Sequence, residues 1–184
     1  MKHAGTQTIE TERLTLRRFV IGDAEVMYNS WANDGKVTRY MTWQPHKDVD
    51  ETKGILQQWI DDYSKENTYH WGICLNDGEL IGSIGMYTSD TDYSASIGYC
   101  IGQKWWSKGY VSEALKAVLD YMFTNTDIVR IGAYHAVENP ASGKVMEKAG
   151  MAYEGCSRQS FKNSHGFHDS NLYGIVREMW EEQK

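Results

Sequence analysis

The stretch Ile97–Phe123, IGYCIGQKWWSKGYVSEALKAVLDYMF, joins a short apolar strand to a helix through a turn that contains glycine and lysine. The helix is predicted because apolar residues recur at intervals of three and four, the spacing that places side chains on one face. Those residues are Val111, Ala114, Leu115, Val118, Leu119 and Met122. A strand, turn and helix of this kind indicate an α/β fold.

The turn before that helix is a candidate anion site. Backbone N–H groups at a helix N-terminus lack intrahelical partners, and the helix dipole adds partial positive charge, so a phosphate group is favoured there. Gly109 lets a ligand approach the backbone, and Lys108 adds charge. The alternative, on these residues alone, is that Gly109 only permits tight packing of the turn.

The amino-acid sequence of the turn resembles a known signature. Trp106–Val111 reads Trp-Ser-Lys-Gly-Tyr-Val and is similar to the acetyl-coenzyme A (acetyl-CoA) pattern Gln/Arg-x-x-Gly-x-Gly/Ala of the GNAT acyltransferases, with departures at the first and last positions. Trp106–Ala114 also resembles the Trp-Gly-Lys-Gly-Tyr-Ala-x-Glu-Ala form of the branch that acetylates ribosomal-protein N-termini. The resemblance implies that backbone amides here bind pyrophosphate. The implied cofactor-binding residues are Trp106, Ser107, Lys108, Gly109, Tyr110, Val111 and Ser112.

Composition indicates one globular domain. The chain has 184 residues, of which 41% are hydrophobic and 24% charged, enough to bury a sizeable core. Its formal net charge of -6 disfavours direct nucleic-acid binding and is compatible with a cationic substrate. No apolar run reaches the length of a membrane span, and the N-terminus lacks the apolar region of a signal peptide. We therefore expect a cytoplasmic protein with no membrane partner.

The cysteines and histidines do not indicate a metal or a thiol nucleophile. Cys74, Cys100 and Cys156 are widely spaced and odd in number, so we expect them to be reduced and mostly buried. Nothing places a base beside Cys100. The stretch His165–Asp169 contains His-x-x-His-Asp but has no second ligand cluster elsewhere, so no metal is expected.

The rest of the chain predicts a mixed sheet flanked by helices. Asp23 is predicted to be the N-cap of the first helix, and Asn76-Asp77-Gly78 to form the turn of an antiparallel hairpin. A long polar loop is expected between the last two strands. Strands are predicted at 14–19, 70–75, 79–87, 93–101, 130–137, 151–158 and 171–177, and helices after Asp23, at 49–63, after Gly109 and at 139–149.

This order is similar to the GNAT fold from residue 11 to 178. The resemblance implies a single α/β (α+β) domain with a mixed, mostly antiparallel sheet of about seven strands and a central parallel β-α-β crossover. Residues 1–10 and 179–184 are then terminal extensions.

The segment Asn139-Pro-Ala-Ser142 begins a short predicted helix. Asn at an N-cap and Pro at the first helical position have a structural explanation, worth about 1 kcal/mol for the cap. In the GNAT branch named above, an Asn-x-x-Ser followed by Lys-x-Gly-Phe lies beside the cofactor sulfur, and here Lys148-Ala-Gly-Met151 follows. The resemblance implies that Ser142 protonates the leaving thiolate and that Asn139 contacts the pantetheine arm or the sulfur region.

Two further regions receive roles from the resemblance. The strand containing Cys100 and Ile101 is expected to bind the pantetheine arm through its backbone, near a splay between two parallel strands. The aromatic stretch at 37–46 is similar to the loop that walls the acceptor site, which makes Tyr40 and Trp43 candidate substrate-binding residues. Core packing is the alternative for these aromatic side chains.

The general base is the least defined element. Many relatives carry a carboxylate at positions that correspond here to Ser96 or to the neighbourhood of Phe161. Asp169, Glu138 and a water chain remain candidates, with Asp169 preferred because its loop is expected to pass near the substrate. An N-terminal α-amine demands little of a base, since with a pKa near 8 it loses about 1 kcal/mol to protonation at pH 7, against roughly 4.6 for lysine.

Three functions remain open at this point. The first is transfer of the acetyl group of acetyl-CoA to a primary amine, such as the N-terminal α-amine of a ribosomal or other protein, by direct attack in a ternary complex. The second is acetylation of a small amine such as a polyamine or an aminoglycoside. The third is a non-catalytic coenzyme A-binding module. The family often forms dimers, so a homodimer is compatible with the resemblance.

Overall fold

An eight-stranded mixed sheet forms the centre of the computed structural model, which describes all 184 residues. The sheet order is β1-β2-β3-β4-β5-β6-β8-β7, and only β5 and β6 are parallel neighbours. The strands are β1 (Ile9–Glu10), β2 (Leu14–Arg17), β3 (Tyr69–Leu75), β4 (Leu80–Ser89), β5 (Ser94–Ile101), β6 (Arg130–Ala136), β7 (Ala152–Asn163) and β8 (Gly166–Val176). The mixed, mostly antiparallel sheet with one parallel crossover confirms the predicted fold class.

Helices pack on both faces of this sheet. On one face lie α1 (Ala24–Met27), its π-helical continuation Tyr28–Ala32, α2 (Gly35–Thr38) and α3 (Val49–Asp62). On the other face lie α4 (Tyr110–Asn125), α5 (Pro140–Lys148) and α6 (Arg177–Glu182). The larger core, of 28 buried residues, fills the space between the sheet and α4, α5 and α6.

The alternation along β5 sends its residues to the two faces in turn. Ile97 and Ile101 belong to the core under α4, whereas Cys100 belongs to the smaller core under α1 and α3. Gly98 and Ser96 share the face of Cys100 and are exposed. The sheet face that carries Ser96, Gly98 and Cys100, opposite α4 and α5, is called the acceptor face below.

One predicted local structure is right only in position, and another is wrong. Asp23 is the N-cap residue of α1, as predicted, but its side chain makes no capping bond to this helix. The carboxylate instead accepts from both Nη atoms of Arg17 at 2.8 Å and from the amide of Val20 at 2.9 Å. The expected polar loop between the last two strands is the outer half of the β7–β8 hairpin. Its residues are largely polar because the outer hairpin lies mostly in solvent, so no apolar alternation marks it as strand.

The chain ends contribute to the packed structure. β1 pairs with β2, and Trp180 of α6 is buried and stacks on Phe123 with ring centroids 5.3 Å apart. None of the helices combines the length and the apolar character that crossing a bilayer requires.

Candidate active site

The parallel strands β5 and β6 separate partway along their length. They pair at Ser94, Ala95 and Ser96, the last opposite Gly132, and beyond this point β5 continues to Ile101 without a partner on that side. Beyond Gly132, β6 pairs only with β8. The gap between 97–101 of β5 and 133–136 of β6, called the splay below, leaves backbone groups of β5 free to bind an extended ligand. Cys100 and Ile101 both lie on its edge.

The turn from Ser107 to Ser112 presents free backbone donors beside the splay. None of the N–H groups in this turn donates to a protein acceptor; the first amide of the α4 region that does so is Glu113, which donates to Gly109 O at 3.1 Å. Ser107 and Gly109 have φ of 61° and 82°, so the turn alternates in handedness. Such alternation lets neighbouring N–H groups converge on one anion.

Arg13 and Glu113 hold this turn from the outside. The guanidinium of Arg13 donates to Glu113 Oε2 at 2.6 Å and to the carbonyl of Lys108 at 3.1 Å. Because a trans peptide points its C=O and N–H in opposite directions, this contact turns the Gly109 N–H away from Arg13. Burial opposes ionisation of Glu113, but hydrogen bonds from Thr11 and Arg13 lower its pKa. The turn is therefore braced by a charged pair.

Trp106 ties the same turn to the end of β5. Its indole Nε1 donates to the carbonyl of Ile101 at 2.9 Å, while the ring is 44% exposed. Trp106, the first residue of the predicted signature, thus holds the backbone that leads into the turn. Lys108 is exposed and contributes charge at the same place.

Ser142 lies in the first turn of α5 and is held by a tyrosine of β5. The phenol of Tyr99 donates to Ser142 O at 3.0 Å and lies 3.0 Å from Ser142 Oγ. Burial raises the pKa of Tyr99, which keeps the phenol protonated. The two residues bridge the splay on the side of α4 and α5, so the Ser142 hydroxyl is fixed near the edge of β5. Sequence reasoning missed Tyr99, because this contact joins residues 43 apart in the chain.

Asn139 occupies the N-cap position of α5, as predicted, but its side chain makes no capping bond. The backbone begins the helix instead, through Pro140 and a bond from the Ser142 amide to Asn139 O at 3.1 Å. The carboxamide has no other protein partner, so it is free to contact a ligand. The structural explanation of Asn139 therefore accounts for the position but not for its side chain.

The loop after α2 reaches the β7–β8 hairpin. The Tyr40 ring meets the ring of His168 edge to face at 6.5 Å, and Asn163 Nδ2 donates to Arg39 O at 3.0 Å. These contacts close one side of the acceptor face. Tyr40, a predicted substrate-binding residue, lies on this side. Trp43 is partly buried against the smaller core and tilts over His46 at 5.4 Å.

The two candidate carboxylates have different surroundings. Asp169 accepts from the amide of Gln159 at 2.8 Å, where the backbone of β7 bulges and Gln159 has a φ of 48°. Glu138 Oε2 lies 3.6 Å from His168 Nδ1, and its side chain is largely exposed. Asp169 thus has a structural partner in the hairpin, and its role as base stays a prediction.

The cysteines and the histidines of the stretch 165–169 show neither a reactive thiol nor a metal site. All three cysteines are free, and Cys74 and Cys100 are buried while Cys156 is exposed. Burial raises the pKa of Cys100 to about 11, so its thiol is protonated at neutral pH. No group of three or more His, Cys, Asp or Glu side chains is placed to hold a metal ion. His168 Nε2 lies 2.9 Å from Asn163 Oδ1 instead.

Comparison with known proteins agrees with this geometry. A family model described as an acetyltransferase (GNAT) domain matches residues 13–152. The uncharacterized N-acetyltransferase YoaA of Bacillus subtilis (strain 168) is 33% identical over 92% of this chain and 96% of its own. The ribosomal protein uS5-alanine N-acetyltransferase of Escherichia coli (strain K12) is 25% identical over 94% of this chain and 92% of its own.

A solved structure shares the fold. RimL, a ribosomal L7/L12 alpha-N-protein acetyltransferase in complex with coenzyme A, superposes with a TM-score of 0.84 at 22% identity, over 92% of this chain and 98% of that chain. The present chain belongs to the GNAT acetyltransferase family. It is an acyltransferase of the N-acetyltransferase type, which confirms the expected family and class of enzyme.

Proposed function

We propose that this enzyme transfers the acetyl group of acetyl-CoA to the N-terminal α-amine of a protein, by direct attack in a ternary complex. The observation that carries the proposal is the splay, because it lies between a turn of free amides and the hydroxyl of Ser142. A ligand with a diphosphate at one end and an extended arm at the other matches that arrangement in chemistry.

The turn Ser107–Ser112 supplies the donor set that a pyrophosphate requires. Its N–H groups have no protein acceptors, and Gly109 can hold its left-handed φ without strain. A Cβ on Gly109 would meet only Arg13 Nη2, at 3.5 Å, so glycine serves the backbone conformation rather than packing. The unpaired edge of β5 at Cys100 and Ile101 would bind the pantetheine arm.

Acetyl-CoA, when bound, supplies an activated thioester carbonyl. The free N–H groups of β5 would orient and polarise that carbonyl, an effect that matters most where water is excluded. Ser142, held by Tyr99 at 3.0 Å, would give its proton to the leaving thiolate. Asn139 would hold the arm near the sulfur with its free carboxamide.

The acceptor is inferred from the relatives and from the chemistry of amines. Two of the compared proteins carry names of enzymes that act on ribosomal proteins, one at an alanine and one at an alpha-N position. An α-amine is neutral in a larger fraction at pH 7 than a lysine or polyamine amine, which suits a site without a fixed carboxylate. Tyr40 and Trp43 would contact the acceptor, and an acceptor of this kind would place the enzyme in the cytoplasm.

The test measures release of coenzyme A thiol from acetyl-CoA in the presence of short peptides with free Ala or Ser N-termini. The same peptides with blocked N-termini are the matched controls, and spermidine represents small amines. Acetylated α-amine identified by mass spectrometry supports the proposal. Turnover of spermidine without turnover of any peptide would show that the acceptor is a small amine and not a protein α-amine. Binding of acetyl-CoA without turnover of any amine would refute acetyl transfer.

A further inference from the structure

His70 lies on the acceptor face, two strands from the splay. It pairs across the ladder with Gly85 of β4, and Gly85 pairs with Gly98 of β5. Since directly opposite residues point to the same face, all three belong to one row of the acceptor face. Gly98 is two residues beyond Ser96, the last residue of β5 that pairs with β6. The row therefore ends at the mouth of the splay.

The ring of His70 extends over Gly85 toward Gly98. A Cβ built on Gly85 would lie 2.8 Å from both Nε2 and Cδ2 of His70, so this edge of the imidazole covers the glycine. A Cβ built on Gly98 would meet nothing within 4 Å, which leaves open space above that residue. Neighbouring strands are about 4.8 Å apart. A group in that space would be within reach of Nε2, directly or through one water.

Two aromatic rings hold the position of the His70 ring. The His70 ring stacks on Trp59 with centroids 4.3 Å apart and meets Tyr87 edge to face at 6.3 Å. Its backbone is also held, since the amide donates to Thr6 Oγ1 at 3.0 Å and the carbonyl accepts from the Tyr63 phenol at 2.9 Å. An orientation fixed in this way is what a proton-transfer group requires.

Neither ring nitrogen of His70 has a hydrogen-bond partner within the protein. The buried side-chain atoms without partners are Trp31 Nε1, His135 Nε2 and His168 Nδ1, so the nitrogens of His70 are not sealed from solvent. If the ring served only to fill the space over Gly85 and to stack on Trp59, a phenyl ring would do so without polar atoms to desolvate. The unpartnered nitrogens are therefore available to a ligand or a water on this side.

We propose that His70 is the proton acceptor for the attacking amine, through one water held above Gly98. The inference rests on the proposed function, and it assigns the role of base to His70 in place of Asp169, which the sequence favours. It also explains why Ser96, where many relatives carry a carboxylate, need not be acidic.

The proton and electron balance of the step is complete. The lone pair of the neutral amine forms the C–N bond, and the C–S bond breaks with its electron pair remaining on sulfur. One N–H proton passes through the water to Nε2 of His70, which later releases it to solvent. The thiolate takes the hydroxyl proton of Ser142, which solvent replaces. The nitrogen becomes more acidic as its lone pair is used, so a weak base is sufficient.

The surroundings of His70 keep it neutral and able to accept. Burial lowers its pKa to about 4, and Asp62 of α3 opposes this shift. Asp62 itself pairs with Lys65 at 2.5 Å, and Tyr63 carries the nearby Arg18 over its ring at 5.1 Å. From β4 the facing group is Tyr87, and β5 contributes Ser96, Gly98 and the protonated thiol of Cys100 on this face.

The experiment compares wild type with His70→Gln, using the peptide of the panel above that gives the highest wild-type turnover. We expect kcat to fall about 100-fold, the low end for loss of acid–base catalysis, with the KM for acetyl-CoA unchanged. In the variant, kcat should rise tenfold per pH unit, and this rise should continue to a higher pH than in wild type. The reason is that hydroxide replaces the missing base. His165→Gln, in the exposed hairpin turn, is the matched control and should retain wild-type kinetics.

A second variant tests the role of the ring directly. His70→Gly leaves a space beside Trp59, and added imidazole should raise its kcat at least about tenfold, with substituted imidazoles of higher pKa acting more strongly. A His70→Gln enzyme with kcat within twofold of wild type would overturn the inference. So would an equal loss at every pH with no response to imidazoles. If wild type acetylates no amine, the proposed function itself fails, and this inference fails with it.

Discussion

The half-buried imidazole of His70 predicts a specific dependence of stability on pH. Its folded-state pKa is about 4, against a reference value of 6.5. Between these values the unfolded chain binds a proton that the folded chain excludes, so the folded state loses stability as pH falls from about 7 to about 4. The variant His70→Phe keeps a ring against Trp59 but removes the titration.

The size of the effect follows from the two pKa values. At pH 7 the cost of keeping His70 neutral is about 0.2 kcal/mol, and at pH 4.5 it is about 2.5 kcal/mol. The difference in unfolding free energy between wild type and His70→Phe should therefore change by about 2 kcal/mol in favour of the variant. For a chain of this size, that corresponds to a relative Tm shift of about 4–8 °C.

The measurement is urea unfolding of both proteins at pH 7 and pH 4.5. Other buried groups, such as His46, whose pKa burial also lowers, titrate in both proteins and cancel in the comparison. His165→Gln is the control, and its difference from wild type should be the same at both pH values. A constant difference between wild type and His70→Phe across this range would refute the assigned burial of the imidazole.

Three further predictions concern the cofactor side of the site. Gly109→Val forces a left-handed φ on a β-branched residue at a cost of about 1–2 kcal/mol, so acetyl-CoA affinity measured by calorimetry should fall about tenfold while thermal unfolding stays cooperative; unchanged affinity would remove the pyrophosphate site. Ser142→Ala should lower kcat about 100-fold with little change in KM, and equal kcat would leave Ser142 as a helix-start residue. Trp106→Phe removes the bond to Ile101 O and should raise the KM for acetyl-CoA several-fold with kcat retained; an unchanged KM would show that the indole does not position the turn.

The parts of the candidate site whose local structure could be predicted from the sequence are those built by neighbouring residues. The turn around Gly109 and the start of α5 at Asn139 are local structures, and turn residues and helical spacing are sufficient to place them. The N-cap position of Asp23 was predicted in the same way, but the local pattern does not specify the partner of its carboxylate. Arg17, at the end of β2, competes for that carboxylate once the strand is in place.

The parts that were missed depend on strand register. His70 shares a row with Gly85 and Gly98 only because β3, β4 and β5 are aligned residue by residue. Tyr99 reaches Ser142 across the splay, and Arg13 reaches Lys108 O from 95 residues away in the chain. No local pattern specifies which strands become neighbours or which residues face each other, so these contacts required the folded structure.

The short ladder between β5 and β6 is the only backbone pairing between two parts of the sheet. These parts are β1–β5 and β6-β8-β7, and the paired residues are Ser94–Ser96 and Arg130–Gly132. A ligand lying along β5 would restore the missing interstrand bonds. We therefore expect amide hydrogen exchange to slow on both sides of the splay when acetyl-CoA is present, so that the donor substrate completes the sheet in which it reacts.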